Sequence, residues 1–224
     1  MLIAIEGIDG SGKGTQAVAL AERLKKGGRT VSLIRFPQYQ ETFFGREVGL
    51  YLNGDLGTLD KVPVKFSSLL YALDRFQALD KITSALLNGE DVICDRYTGS
   101  NIAHQAARVP ESERPAMVEW IREVEERILR IPMPDLVVFL DMEVQQSQRL
   151  VAKKEERSYT AKTHDLHEAS ADHLQIALEN FRFLAKELGW KRILCIDENG
   201  KLKSPTALGE EIYLEVVRAE KFSR

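Results

Sequence analysis

Five short apolar runs recur along the chain, each separated from the next by a longer stretch of helical periodicity, and together they leave few folds open. They are LIAIE at 2–6, TVSLIRF at 30–36, DVICD at 91–95, DLVVFLD at 135–141 and RILCID at 192–197. Runs that are apolar on both faces are the mark of parallel strands covered by helices on both sides. Between them, residues 13–26, 60–88, 113–130, 166–188 and 205–220 place apolar residues at spacings of three and four, which predicts helices. The glycines of NGE after Leu87 and LGW after Glu187 stand where such helices end. The expectation is an α/β three-layer fold: a five-stranded parallel sheet flanked by helices. With 224 residues, 44% of them hydrophobic, the chain can bury one sizeable core. No repeat or low-complexity linker marks a second, so 1–224 reads as one domain.

A net charge of −3 supplies no broad positive field, so neither nucleic acid nor a membrane surface is an expected partner. No run approaches the roughly 20 apolar residues needed to span a bilayer. Cys94 and Cys195 lie inside apolar runs, where cysteine acts as a small buried hydrophobe, and a reducing, cytoplasmic setting is expected. The stretch AKKEERSYTAKTHDLHE, 152–168, is the most polar and poor in large aliphatics. It reads as a mobile flap, the main part of a lid insertion at about 149–168. Its His164 and His167, with the nearby His173, match no standard zinc spacing and have no cysteine close by, so a solvated lid helix is the better reading.

The first apolar run leads directly into GIDGSGKGT. Gly7, Gly12 and Lys13 follow the pattern of glycine, four residues, glycine, lysine, after a strand and opening a helix. Glycines there let backbone N–H groups turn inward around phosphate oxygens, the helix N-terminus adds positive potential, and the lysine reaches the outer phosphates. Gly7, Gly10, Ser11, Gly12, Lys13, Gly14 and Thr15 are thus the candidate ATP-binding residues of a P-loop NTPase fold. The usual Ser or Thr directly after the lysine is displaced by Gly14, which makes Thr15 the Mg²⁺ candidate.

Three later stretches bear on what receives the phosphate: RFPQY at 35–39, LLYALDR at 69–75 and DRYTGSNIAHQ at 95–105. Ligands of open α/β sheets collect outside the carboxyl ends of the strands, where the glycine-rich turn, RFPQY and DRY all fall. In this order and spacing the set resembles the thymidylate kinases, over nearly the whole chain. The resemblance implies transfer of a phosphoryl group from Mg-ATP to dTMP, giving dTDP for dTTP synthesis, in a homodimer. It points to Asp9 near the acceptor sugar and phosphate, Tyr71 stacking on thymine, Arg75 meeting the base edge and Arg96 gripping the acceptor phosphate. Phe36 and Tyr39 match positions lining the acceptor pocket. Asn101, His104 and Gln105 fall where the family reads the base and crowds the 2′ side of the sugar.

The residue types agree with those roles. Tyr71 and Arg75 are four apart, hence on one helix face. A ring and a planar donor fork can hold a base that carries carbonyl oxygens, and a guanidinium meets a phosphate bidentately. The residues alone also leave plainer readings open: Tyr71 as core packing, Arg75 as partner to Asp74, Asp95 and Arg96 as partners to each other, and His104 as structural. Phosphoryl transfer asks for positioning and charge neutralisation rather than a strong base. Lys13 with Mg²⁺ held through Thr15 and Asp95, directly or through water, is expected to cradle the donor, while Arg96, Arg75 and Tyr39 place the acceptor.

Members of the family supply a catalytic arginine from the phosphate loop or from the lid. Here Gly10 stands where the loop arginine would be, so the charge is expected from the lid, where Arg149, Lys153, Lys154 and Arg157 recur at spacings of one to four; Arg149 and Arg157 are the catalytic candidates. The chain departs from the family in Gln38 after RFP, commonly a basic residue, and in DLHE, which keeps Asp165 and Glu168 around Leu166 and His167. The rival readings are a kinase for another nucleoside monophosphate, a deoxynucleoside kinase, and a nucleotide-binding protein without turnover.

Overall fold

The computed structural model describes residues 1–58, 61–152 and 171–222. Its centre is a parallel five-stranded sheet, β1 (Leu2–Glu6), β2 (Val31–Arg35), β3 (Asp91–Asp95), β4 (Leu136–Asp141) and β5 (Lys191–Leu194), in the order β2-β3-β1-β4-β5. The register sets Ile3 beside Ile93 and Leu136, and Arg35 beside Asp95. β1 is central, and the connections leave it in both directions, so its carboxyl end opens on the crevice where such sheets bind ligands.

Side chains alternate across the sheet. Ile3 and Ile5 of β1 pack into one cluster with Leu20 and Leu24 of α1 (Lys13–Lys26) and Ile212 and Val216 of the last helix, Pro205–Phe222. On the other face Leu2 and Ala4 meet Ile82 and Ala85, while Phe139 of β4 packs with Leu178 and Phe181. Each fully buried side chain of this size contributes about 1.5–3 kcal/mol. These two covered faces give the expected three layers.

The helices differ from their predicted bounds. After α2 (Phe43–Asn53), which was not predicted, the stretch 60–88 holds two helices, α3 (Val64–Gln77) and α4 (Leu79–Leu87), joined at Ala78. At Ala78 φ is −90° and ψ −1°, which turns the chain out of α3, but a buried alanine is no breaker that sequence reading could find. α5 (Thr98–Ala106) was also not predicted, because its nine residues are all buried and carry no apolar stripe. The stretch 113–130 becomes α6 (Arg114–Arg122) and then a π-helical turn, Glu123–Ile128. α7 (Val144–Val151) and α8 (Ala171–Glu187) bracket the expected lid, and α9 is Pro205–Phe222. Gly89 and Gly189, just past α4 and α8, have φ of 76° and 66°, as helix stops require. Lys153, Lys154, Arg157, His164, Asp165, His167 and Glu168 lie outside the described residues. Among those described, no helix is long and apolar enough to cross a membrane.

Candidate active site

The carboxyl ends of β1, β2 and β3 open on one cleft of about 640 Å³. Its floor is the turn from β1 into α1. Gly10 and Gly12 adopt φ of 78° and 90°, a region that costs other L-residues about 1–2 kcal/mol. Gly10 has a second reason to be glycine: a Cβ there would stand 2.5 Å from the carbonyl oxygen of Ser147 on α7. No arginine fits at that place. Ser147 Oγ also donates to the carbonyl of Asp9, so α7 braces the loop from outside.

Lys13 Nζ donates to the carbonyl of Ile8 at 2.7 Å, folded over its own loop. Burial pushes its ammonium down to about 8; Arg96 adds repulsion, while Asp9, Asp95 and Glu6 pull the other way. Thr15 is exposed and lines the cleft in the first turn of α1. A Cβ on Gly14 would meet Asp95 Oδ2 at 2.9 Å, which shows how closely that carboxylate lies against the same turn and why the residue after Lys13 is glycine.

Asp95 and Arg96 do not pair with each other. Asp95 Oδ2 accepts from Arg35 Nε at 3.0 Å, and Arg96 Nη2 donates to Asp9 Oδ1 at 2.5 Å. Arg96 Nη1 donates to the carbonyl of Gly7 at 3.2 Å and to Ser100 Oγ at 3.1 Å. Burial opposes its charge, but Asp9, Asp95 and Glu6 together hold the guanidinium above its usual range. With φ of 67°, Arg96 sits in left-handed backbone that a side chain of this kind rarely adopts, and such strain concentrates at functional sites. Beneath it Glu6, fully buried, accepts from Tyr97 N (3.0 Å), Ser100 N (3.1 Å) and Ser100 Oγ (2.5 Å).

Tyr71 is half-buried: it packs edge-on to the buried Tyr51 at 6.4 Å and also lines the cleft. Arg75 does not pair with Asp74. Its Nε and Nη2 bind Glu125 at 2.6 and 2.5 Å, while Asp74 accepts from Gln38 N (3.0 Å) and Thr42 Oγ1 (2.5 Å) and so anchors the RFPQY loop. Burial raises the Asp74 carboxyl, against those bonds and Arg75. Asn101 and Gln105 are buried along the same wall, as is His104, whose ring stacks on His173 with Nδ1 3.4 Å from its Nε2. Burial holds His104 well below 6.5 and His173 at about 4, so both are neutral near pH 7. Phe36 and Tyr39 also line the cleft.

The structure thus brings Asp9, Lys13, Thr15, Tyr71, Asn101 and the other acceptor candidates to one cleft. Gly7 and Ser11 are not among its lining residues. Arg149 is exposed on α7 and does not line it, and Gln38 turns its buried side chain away from the lining. Sequence reading missed Glu6, Arg35, Ser100 and Glu125. Arg35 and Glu6 had a usable signal, a charge at the carboxyl end of a predicted strand; Glu125 had none, standing among other acids in EVEER.

A family model described as thymidylate kinase matches residues 5–194. The thymidylate kinase of Mycobacterium tuberculosis is 36% identical over 140 residues, 62% of this chain and 65% of that one, so the match spans just under two thirds of the relative's length. A probable thymidylate kinase of Pyrococcus abyssi is 38% identical over 149 residues, 66% of this chain and 67% of the relative. One of Thermococcus kodakarensis is 33% identical over 171 residues, 74% of this chain and 78% of the relative. A solved thymidylate kinase from Candida albicans superposes with a TM-score of 0.74 at 22% identity, covering 98% of this chain and 92% of the other, and shares the fold.

Proposed function

Because this chain belongs to the thymidylate kinase family, we propose that it transfers the terminal phosphoryl group of Mg-ATP to the phosphate of dTMP, giving dTDP. The observation that carries this is one cleft whose lining combines a phosphate-binding loop with Arg96 and with Tyr71, Arg75 and Asn101.

Lys13 and the loop N–H groups hold the donor phosphates, and Arg96 holds the acceptor phosphate. The acceptor oxygen is the nucleophile, so alignment and charge stabilisation carry the reaction. Thr15 and Asp95 would hold Mg²⁺, directly or through water: both line the cleft, and hydroxyl and carboxylate are the hard oxygen donors this ion takes. When bound, the ion neutralises charge on the phosphoryl oxygens. Asp9 orients Arg96, Tyr71 stacks on the base, and Asn101, His104 and Gln105 read its edge and the 2′ side of the sugar. Phe36 and Tyr39 close the acceptor wall.

The segment about 149–168 is proposed as the lid, with Arg149 and Arg157 bringing positive charge to the transferring group; the lack of space at Gly10 supports a source outside the loop. A homodimer and a cytoplasmic setting belong to the same reading, and buried, free Cys94 and Cys195 agree with a reducing compartment.

The test is ADP release with Mg²⁺ and ATP, offering dTMP, dUMP, AMP, dGMP and thymidine in parallel. Turnover led by dTMP, with weaker dUMP, is expected. Preference for another monophosphate would keep the phosphate chemistry and discard the base assignments, and ATP binding without turnover on any acceptor would reject the kinase.

A further inference from the structure

Apolar residues at Met117, Ile121, Val124 and Ile128 follow helical spacing, and a regular helix would bury all four. The structure buries the first three and leaves Ile128 66% exposed. In its place Glu125 turns inward and is only 1% exposed. The cause is the π-helical turn Glu123–Ile128, which widens the helix where the pattern would have continued. Such turns give up regular hydrogen bonding and are often kept at functional sites. A local packing rule is broken here to bury a carboxylate.

That carboxylate is engaged on both oxygens. Oε2 accepts from Arg75 Nε, and Oε1 accepts from Arg75 Nη2 at 2.5 Å and Asn101 Nδ2 at 2.7 Å. The Asn101 amide nitrogen also donates to the carbonyl of Ser68 at 3.1 Å. Both amide protons are thereby taken, so the two ends of the amide cannot be exchanged without setting its oxygen against two other acceptors, the Glu125 carboxylate and the Ser68 carbonyl. The oxygen Oδ1 is the end left over, buried and with no hydrogen-bond partner, on a residue that lines the cleft. An unmatched buried acceptor is unfavourable, and a ligand that donates there recovers the loss.

We propose that Glu125 is a specificity-determining positioning residue: by locking the Asn101 amide with its oxygen toward the cleft, it makes the site accept a pyrimidine that carries N3–H and reject one whose N3 is a bare acceptor. The same carboxylate fixes the plane of the Arg75 guanidinium, so one buried group sets two base-facing side chains. This inference rests on the kinase reading above.

Glu125→Gln keeps the shape and removes one acceptor. At the Oε2 position its amide nitrogen meets Arg75 Nε; at the Oε1 position it meets Arg75 Nη2 and Asn101 Nδ2 together, and rotation of the Asn101 amide then turns Nδ2 into the cleft, so either orientation disturbs a base-facing side chain. The probe pair is dTMP and 5-methyl-dCMP, alike in sugar, phosphate and methyl group and different only in N3–H and the 4-substituent. The unsubstituted protein is expected to favour dTMP in kcat/KM by about a hundredfold or more, and Glu125→Gln to reduce that ratio by at least about tenfold. An unchanged ratio in an active variant overturns the proposal while leaving the kinase reading intact; absence of dTMP turnover in the unsubstituted protein rejects that reading instead. Should Glu125→Gln not fold, ¹⁵N NMR of the Asn101 side chain in the unsubstituted protein decides. Amide protons protected from solvent before and after adding dTMP support a locked amide, and rapid exchange or a reorientation on binding overturns it.

Discussion

Lys13 carries its charge in a buried setting, and that has a measurable consequence. With its ammonium pushed down to about 8, the free protein holds the proton below that pH and loses it above. A phosphate placed beside Nζ favours the charged form, so nucleotide binding must take up protons around pH 8 and weaken as pH rises further. Calorimetric titration with ATP at pH 8 in two buffers of different ionisation enthalpy should register an uptake of about half a proton, absent in Lys13→Met; equal heats in the two buffers would sink the argument. Gly10→Ala tests the loop from the steric side. Its φ of 78° and a Cβ 2.5 Å from the Ser147 carbonyl predict a loss of about 2 kcal/mol or more in urea unfolding. These loop residues were legible in the sequence because the demands on them are local, dictated by a few consecutive dihedrals. The Arg96–Asp9 pair was not, since its partners stand 87 positions apart and meet only through the sheet.

Between elements, the joint of β1 and α5 is made by one side chain. The first N–H groups of a helix lack partners within it, and here Glu6, from the end of a strand, accepts from Tyr97 N and Ser100 N in place of a local cap. Burial raises its carboxyl above 4.5, against the bonds from Ser100 and Tyr97 and the charge of Arg96. A carboxyl raised on folding keeps its proton in the native state where the unfolded chain has released it, so its contribution to stability falls as pH rises upward from 4.5. Glu6→Gln cannot titrate. The difference in unfolding free energy between the two proteins should therefore shift against the unsubstituted one between pH 4.5 and 7.5, and a flat difference would show that Glu6 titrates alike in both states. α5 itself escaped the sequence reading for a related reason: a helix buried on every side, with Ser100, Asn101 and Gln105 spent on partners and cleft, has no amphipathic stripe to detect. The inner strands, by contrast, were legible within a residue, because two-sided burial leaves an unbroken apolar run; β5, at a sheet edge and largely exposed, departs furthest, ending at Leu194.

Across the whole molecule, the sheet order places two binding functions at one edge and keeps them on different elements. On the proposed assignment the donor end is built on the turn between β1 and α1, and the acceptor end on β3, α3 and α5, with the Asp9–Arg96 bond joining them. The order β2-β3-β1-β4-β5 was not itself readable from the runs, since pairing depends on long-range packing, although the parallel class was. This division predicts how the protein responds to loss of its metal. On the proposed assignment Mg²⁺ belongs to Thr15, Asp95 and the donor phosphates, whereas dTMP is held by Arg96, Arg75, Tyr71 and Asn101, none of which needs a cation to present its hydrogen bonds or ring. EDTA should therefore abolish ADP release while leaving the dissociation constant of dTMP within about twofold, measured by calorimetry without ATP. Arg96→Ala should do the reverse, weakening dTMP by tenfold or more, on the order of 1.4 kcal/mol and above, with little change in ATP binding. If EDTA weakened dTMP as much as it stopped turnover, the cation would have to reach the acceptor phosphate directly, and Asp9, already turned toward Arg96, would be the carboxylate to carry it there.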